Sequence, residues 1–109
     1  MPIRFGKFER YPGADRNQLA RAALAYCRLV RQQPKIQSAR FYWADGGNTI
    51  GFVTEGAPGC FDYNPTPNPE MAKAGFALAD LGSFKGTETW ADAGAGERNW
   101  EIADRPSGT

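Results

Sequence analysis

The side chains that could take part in chemistry here are carboxylates, arginines, phenols and indoles, because the chain contains no histidine. Histidine is the commonest general base near neutral pH and the commonest metal ligand in proteins. We therefore predict no metal site. The glycines form no strand–glycine loop–helix unit of the kind that cradles phosphates, so no nucleotide cofactor is predicted either.

Arg40 and Tyr42 are the first candidate catalytic residues. They lie two residues apart in a stretch of strand-forming residues, so both side chains project from the same face. If that face lines a cavity, Arg40 can stabilise an enolate or phenolate and Tyr42 can donate a hydrogen bond to it. The alternative is structural: Arg40 pairs with Glu55 or Glu101, and Tyr42 contributes packing.

A loop follows at residues 56–69, GAPGCFDYNPTPNP, with four prolines and two glycines. Loops of this length inside a compact domain are usually functional or disordered. Phe61 and Tyr63 favour an ordered flap that packs down on the domain. Asp62, the third candidate catalytic residue, acts as a base if burial raises its pKa, or else caps a turn together with Asn64.

The element that must position these residues is a hairpin at residues 36–55. Two runs of aromatic and β-branched residues flank Asp45-Gly46-Gly47-Asn48, residue types that reverse the chain readily. Neither run has a purely polar face. We therefore expect the hairpin to be a central part of the sheet and to be covered on both sides.

The remaining elements follow from hydrophobic periodicity and capping signals. They are a strand at 3–11, a helix from about 15 to 33, a helix starting at Asn68, and a last strand at 98–103. Residues 84–91 are interpreted as a second, shorter helical piece, with a strand at 87–90 as the alternative. The order predicts an α+β, ferredoxin-like βαββαβ fold, with one antiparallel sheet and its helices on one face. The sheet is expected to dimerise through its other face.

Composition narrows the classes of function. At 109 residues the chain predicts one domain, 1–109, with 104–109 as a flexible tail. Thirteen basic and twelve acidic residues nearly cancel, which argues against nucleic-acid binding. There is no long apolar run, no secretory signal pattern and no CxxC spacing, so we predict a cytoplasmic protein without a membrane span.

With this order of elements, the chain resembles the dimeric α/β-barrel superfamily. That superfamily includes antibiotic-biosynthesis monooxygenases, muconolactone isomerase-like enzymes, polyketide cyclases and haem-degrading monooxygenases. The resemblance covers about residues 3–104 and rests on element order, length and two-faced strands. The segments that carry it are FYWADGGNTIGFVTE and NPEMAKAGFALADL. It implies a homodimer and a ligand cavity between the sheet and the helices. Haem-degrading members are expected to supply a histidine, which this chain lacks, so no cofactor is expected.

The resemblance also implies a set of ligand-binding residues. Some cofactor-free oxygenases of this class use a tryptophan near an electron-rich substrate, which here means Trp43 or Trp90; core packing is the alternative for either. The expected ligand-binding residues are Trp43, Phe52, Phe61, Tyr63, Phe76 and Trp90. The implied function is oxygenation, cyclisation or isomerisation of a small, largely apolar aromatic or polyketide-like molecule. The alternative is a non-catalytic homodimer, either ligand-binding or structural.

Overall fold

The computed structural model describes residues 1–61 and 68–91 and has the predicted ferredoxin-like fold. Its elements are β1 Ile3–Arg10, α1 Arg16–Arg31, β2 Ile36–Ala44, β3 Thr49–Gly56, α2 Pro69–Ala79 and β4 Gly82–Trp90. The strands form one sheet in the order β2-β3-β1-β4, and every neighbouring pair is antiparallel. The α+β prediction is confirmed.

Both helices lie on the same face of the sheet and bury an apolar stripe against it. Leu19, Ala23 and Cys27 recur every fourth residue on α1 and are all buried, as helical periodicity requires. Leu78 of α2 and Phe8 of β1 belong to the same core and are fully buried. The helices therefore cover only one side of the sheet.

Local hydrogen bonds fix where both helices begin. Asp15 Oδ1 accepts a hydrogen bond from the Gln18 amide at 2.9 Å, and Asn68 Oδ1 accepts one from the Glu70 amide at 2.9 Å. These side chains satisfy amides that have no partner within the helix. The hydrogen bonds to Asp15 also lower the pKa of its carboxyl, since they favour the ionised form. The predicted cap at Asn68 is confirmed.

The hairpin turn depends on positive φ angles at three successive residues. Asp45, Gly46 and Gly47 have φ of 51°, 61° and 93°, a region that favours glycine. A Cβ at Gly47 would lie 2.7 Å from Arg16 Nε, whose guanidinium carbon is 4.9 Å from the centre of the Trp43 ring. The glycine thus allows Arg16 to lie between the turn and Trp43.

The helical interpretation of residues 84–91 is wrong and the strand alternative at 87–90 is confirmed, because residues 84–90 belong to the fourth strand, Gly82–Trp90. Phe8 pairs with Phe84 whereas Lys7 pairs with Gly86, so Lys85 is an extra residue in a β-bulge. The bulge interrupts the alternation that would have identified the strand. The strand predicted at 98–103 and the tail predicted at 104–109 lie outside the described residues.

The position of β2 is a second correction. Among the strands that the structure describes, β2 pairs with β3 alone and lies at an edge of the sheet, not at its centre. Arg40, expected to be at least partly buried in a central strand, is therefore exposed. No described strand pairs with the other backbone edge of β2, and Tyr42 is exposed on the same face as Arg40.

The structure also bears on the membrane-span and disulfide questions raised by the sequence. No helix in the described part of the chain has the length and apolar character needed to cross a membrane. Cys27 and Cys60 are both buried and both free thiols, so they do not form a disulfide. Burial raises the pKa of Cys27 to about 11, which keeps this thiol protonated.

Candidate functional site

A cavity of about 280 Å³ lies between the helix-facing side of the sheet and the helices. This is the place where the sequence resemblance implied one. Its walls are largely aliphatic and aromatic, with a few polar groups. The described residues that line it are Arg4, Gly6, Tyr26, Val30, Gln33, Pro34, Ile36, Phe52, Thr54, Cys60, Phe61, Met71 and Thr87.

Strand register brings the sheet residues of this cavity together. Arg4 of β1 lies between Thr54 of β3 and Thr89 of β4. Two residues further along β1, Gly6 lies between Phe52 and Thr87. Because alternate residues share a face, these side chains form one continuous patch beneath the helices. Gly6 has no side chain, which leaves open the space above it.

Arg4 supplies the only positive charge among the described lining residues. Its Nε donates a hydrogen bond to Thr89 Oγ1 at 3.0 Å, and its guanidinium carbon lies 4.4 Å from the centre of the Phe61 ring. Within the described part of the chain, no carboxylate forms an ion pair with it. Arg4 is therefore oriented by a hydroxyl and a ring face, while its charge is not neutralised by those contacts.

Tyr26 of α1 supplies a phenol to the same cavity. Its ring packs edge-on against Phe52, with the centroids 5.5 Å apart. Burial raises the pKa of Tyr26 above the ordinary value of 10.0; the nearby Cys27 adds to this effect and the Arg4 charge opposes it. The phenol is consequently protonated at neutral pH. No group in the described residues forms a hydrogen bond with its hydroxyl, which is free to donate one to a ligand.

The predicted aromatic residues are distributed over different parts of the molecule. Phe52 and Phe61, two of the residues predicted to bind a ligand, line the cavity. Trp43 packs against Phe41 and Arg16 near the hairpin turn, away from the cavity lining. Phe76 is 72% exposed on α2, and Trp90 is 58% exposed on the sheet face opposite the helices.

Two of the three predicted catalytic residues, Arg40 and Tyr42, are among the described residues, and neither lines the cavity. Arg40 and Tyr42 lie on the outer edge strand, beside a shallow depression of about 350 Å³ that they share with Leu24 and Arg31. The proposed ion pair between Arg40 and Glu55 does not form. Asp62, Tyr63 and Glu101 lie outside the described residues.

Sequence reasoning missed Arg4 and Tyr26, although each carried a signal. Arg4 alternates with Gly6 and the fully buried Phe8, so all three must share the core-facing side of β1. Tyr26 belongs to the apolar stripe of α1, where a phenol adds a polar group to an otherwise aliphatic surface. A charged residue in register with buried positions is the pattern that would have identified the site.

The geometry can bind a flat, largely apolar molecule and stabilise negative charge on it. Phe52 and Phe61 offer ring surfaces, and Arg4 and Tyr26 offer a cation and a neutral hydrogen-bond donor. A cation and a donor in a partly dehydrated cavity act more strongly than in water. No histidine, aspartate or glutamate is among the described lining residues, so the described cavity wall contains no carboxylate or imidazole base.

No protein-family model matches the chain, and no curated protein sequence does. Solved structures do match. The structure of SnoaB, a cofactor-independent oxygenase from Streptomyces nogalater, superposes with a TM-score of 0.68 at 12% identity, covering 84% of this chain and 92% of SnoaB. Rv0793 from Mycobacterium tuberculosis gives a TM-score of 0.64 at 16% identity, over 84% of this chain and 95% of its own.

A third structure, from Nitrosomonas europaea, carries the provisional name of antibiotic biosynthesis monooxygenase. It gives a TM-score of 0.68 at 7% identity and covers 84% of this chain and 98% of its own. At such identities a structural match establishes the fold alone. The chain therefore has the ferredoxin-like fold found in antibiotic-biosynthesis-monooxygenase-like proteins.

Proposed function

We propose that this protein is a cofactor-independent enzyme that acts on a small, largely apolar, aromatic or polyketide-like molecule in the 280 Å³ cavity. The single observation that carries the proposal is that the Arg4 guanidinium, which forms no ion pair with a carboxylate of the described residues, and the protonated phenol of Tyr26 line the same cavity, whose other described lining residues are mostly apolar. Convergent polar groups in an apolar pocket are typical of ligand sites. Some neighbours of the same fold bear the name of monooxygenase, and one is described as a cofactor-independent oxygenase.

The proposed reaction types share a first intermediate that these residues can stabilise. Oxygenation, cyclisation and isomerisation of such molecules can all begin with loss of a proton to give an enolate or phenolate. That anion can then donate electrons to dioxygen, attack an internal carbonyl carbon, or regain its proton at another carbon. In each case Arg4 balances the negative charge and Tyr26 donates a hydrogen bond to the oxygen.

We further propose that the protein is a cytoplasmic homodimer and that residues 1–109 form one domain. The sheet face opposite the helices exposes apolar side chains that a second copy would cover. Phe5 and Trp90 lie on this face and are 43% and 58% exposed. A sheet face that is exposed to water in a monomer usually alternates apolar with polar residues more strictly.

A non-catalytic ligand-binding protein is the second candidate. The observation that favours it is the absence of a carboxylate or an imidazole from the described lining residues, since proton removal then has no evident base there. A binding protein and an enzyme of this kind would share the cavity and its charge. They differ in whether a bound molecule leaves the protein chemically changed.

Native mass spectrometry of the purified protein, before and after incubation with aerated aromatic hydroxy compounds, tests the proposal. We expect retained small molecules and, for an enzyme, a mass change in the released compound without added cofactor. Retention without any mass change would favour the binding protein.

A pair of glycine variants locates the binding. A Cβ at Gly6 makes only ordinary contacts of 3.8 Å or more, so Gly6→Val should fold while its methyl groups narrow the cavity. Gly51→Val adds the same group to the adjoining strand at a position with no heavy atom within 4 Å of the new Cβ. We expect ligand retention to fall in Gly6→Val and persist in Gly51→Val. Equal retention in both would place binding elsewhere.

A further inference from the structure

We propose that Arg4 and Tyr26 bind the ligand as an oxyanion and thereby select planar molecules with an acidic hydroxyl or an enolisable carbonyl on or next to the ring. The inference rests on the proposed function of the cavity and specifies which chemical class it accepts. A neutral aromatic hydrocarbon of equal size would bind through the walls alone.

Arg4 forms no ion pair with a carboxylate of the described residues, so its guanidinium can accept an anionic ligand atom as a partner. Its Nε is engaged by Thr89 Oγ1 at 3.0 Å, which fixes the guanidinium at the β1–β4 side of the cavity. A guanidinium has five N–H donors, and this contact uses one of them. The charge cannot be removed by loss of a proton at physiological pH. A ligand anion can use the remaining donors and neutralise the charge.

Tyr26 adds a donor that stays neutral. Because burial and Cys27 raise its pKa, the phenol keeps its proton through the neutral range even though Arg4 opposes the shift. It can therefore donate a hydrogen bond to an oxyanion without repelling it. A hydrogen bond to a charged partner contributes more than one between neutral groups.

Phe61 provides an aromatic surface close to the Arg4 charge, where the ring of a bound ligand can pack. Its face lies 4.4 Å from the Arg4 guanidinium carbon, and both residues line the same cavity. An anion placed on Arg4 thus brings its own ring close to the aromatic surfaces of Phe61 and Phe52. This position favours molecules in which the charged oxygen is attached to the ring or next to it, over those with a long flexible spacer.

Forming the bound anion requires only a proton transfer and no added oxidant or reductant. The ligand O–H or α-C–H bond breaks, the electron pair remains on the ligand, and the proton passes to solvent or buffer. Tyr26 keeps its proton and Arg4 its charge throughout. No oxidation occurs in this step, so it can be measured with inert probes.

The experiment compares 4-nitrophenol with 4-nitroanisole, which has a similar shape but cannot ionise. Nitrophenolate absorbs at longer wavelength than nitrophenol, so absorbance reports the ionisation state of the bound probe. We expect a lowered apparent pKa for bound 4-nitrophenol and a preference over 4-nitroanisole of ~10-fold or more.

Variants assign the effect to the two residues. Arg4→Met and Tyr26→Phe should each remove most of the pKa shift of the bound probe, while Arg4→Lys, which keeps the charge, should retain part of it. Arg28→Met removes an exposed positive charge from α1 outside the cavity and should leave the shift unchanged. Circular dichroism confirms that each variant is folded before its shift is interpreted.

The outcomes separate this inference from the proposed function. If the two probes bind equally and the nitrophenol pKa is unchanged, the oxyanion inference is overturned while the cavity still binds aromatic molecules. If neither probe binds to wild type, or if Gly6→Val binds both as tightly as Gly51→Val does, the proposed site itself is overturned. A shift that survives both Arg4→Met and Tyr26→Phe also overturns the inference.

Discussion

Two arginines in this molecule contact aromatic rings, and the two contacts have different consequences. Arg4 lies over Phe61 in the cavity, and Arg16 lies over Trp43 at the hairpin turn. Both guanidinium groups use an aromatic face, but only Arg16 depends on a glycine for its space. Arg4 can therefore still bind an anionic ligand, whereas the Arg16 contact holds the start of α1 against the hairpin turn.

The Arg16 arrangement gives a prediction at the residue scale. Gly47→Ala forces a positive φ on a residue with a Cβ and displaces the Arg16 side chain. We expect the free energy of unfolding to fall by roughly 2–3 kcal/mol. Denaturant titration followed by tryptophan fluorescence measures this loss.

Gly46→Ala is the matched control for that prediction. Gly46 also has a positive φ, of 61°, but no heavy atom lies within 4 Å of an added Cβ. Only the backbone penalty, about 1 kcal/mol, is expected. Equal losses in the two variants would mean that the contact with Arg16 contributes nothing to stability.

Residue types and spacing predicted part of the candidate site. Two of the predicted residues, Phe52 and Phe61, line the cavity, whereas Arg40 and Tyr42 lie on the outer edge strand; among the described lining residues the charge comes from Arg4. Alternation along a strand shows which side chains share a face. It does not show which face the helices cover, because that depends on packing between segments distant in sequence.

At the scale of elements, the strongest local signals were also the most reliable. Both helix starts and the hairpin turn are where capping and turn residues predicted them. β4 was assigned to a helical piece from Phe84 onward because its bulge at Lys85 breaks the alternation that identifies a strand. Gly82 is instead the first residue of the strand, and its backbone packs closely against β1.

This close approach predicts opposite effects for two glycine-to-alanine substitutions. A Cβ at Gly82 would overlap the Glu9 carbonyl oxygen and the Phe8 ring, so Gly82→Ala should lower the free energy of unfolding by about 1–3 kcal/mol. Gly75 lies in α2 with no heavy atom within 4 Å of an added Cβ, so Gly75→Ala should raise it by about 0.5–1 kcal/mol. Thermal unfolding of both variants measures the two signs, and a neutral Gly82→Ala would contradict the β4 placement.

At the scale of the whole molecule, the proposed dimer depends on the uncovered sheet face. We expect static light scattering at micromolar concentration to give twice the chain mass of 11.9 kDa. Phe5→Lys places a charge in the middle of that face and should yield monomers, because an unpaired buried charge is costly.

Phe76→Lys is the control for the dimer experiment. Phe76 is exposed to a greater extent than Phe5 but lies on α2, on the opposite side of the sheet. The mass of this variant should remain that of a dimer. A wild-type protein that scatters as a monomer, or a Phe76→Lys variant that alone dissociates, would show that another surface is used.

The strand order also determines when the protein can fold. β1 lies between β3 and β4, so both of its edges are paired with segments made much later in synthesis. The β2–β3 hairpin and α1 can associate first, whereas the residues of β1 pair with residues forty or more positions later in the sequence. Such long-range pairing slows folding. During that delay β1, which carries Phe5 and Phe8 on opposite faces, has two unpaired edges, and aggregation with other chains is then most favoured.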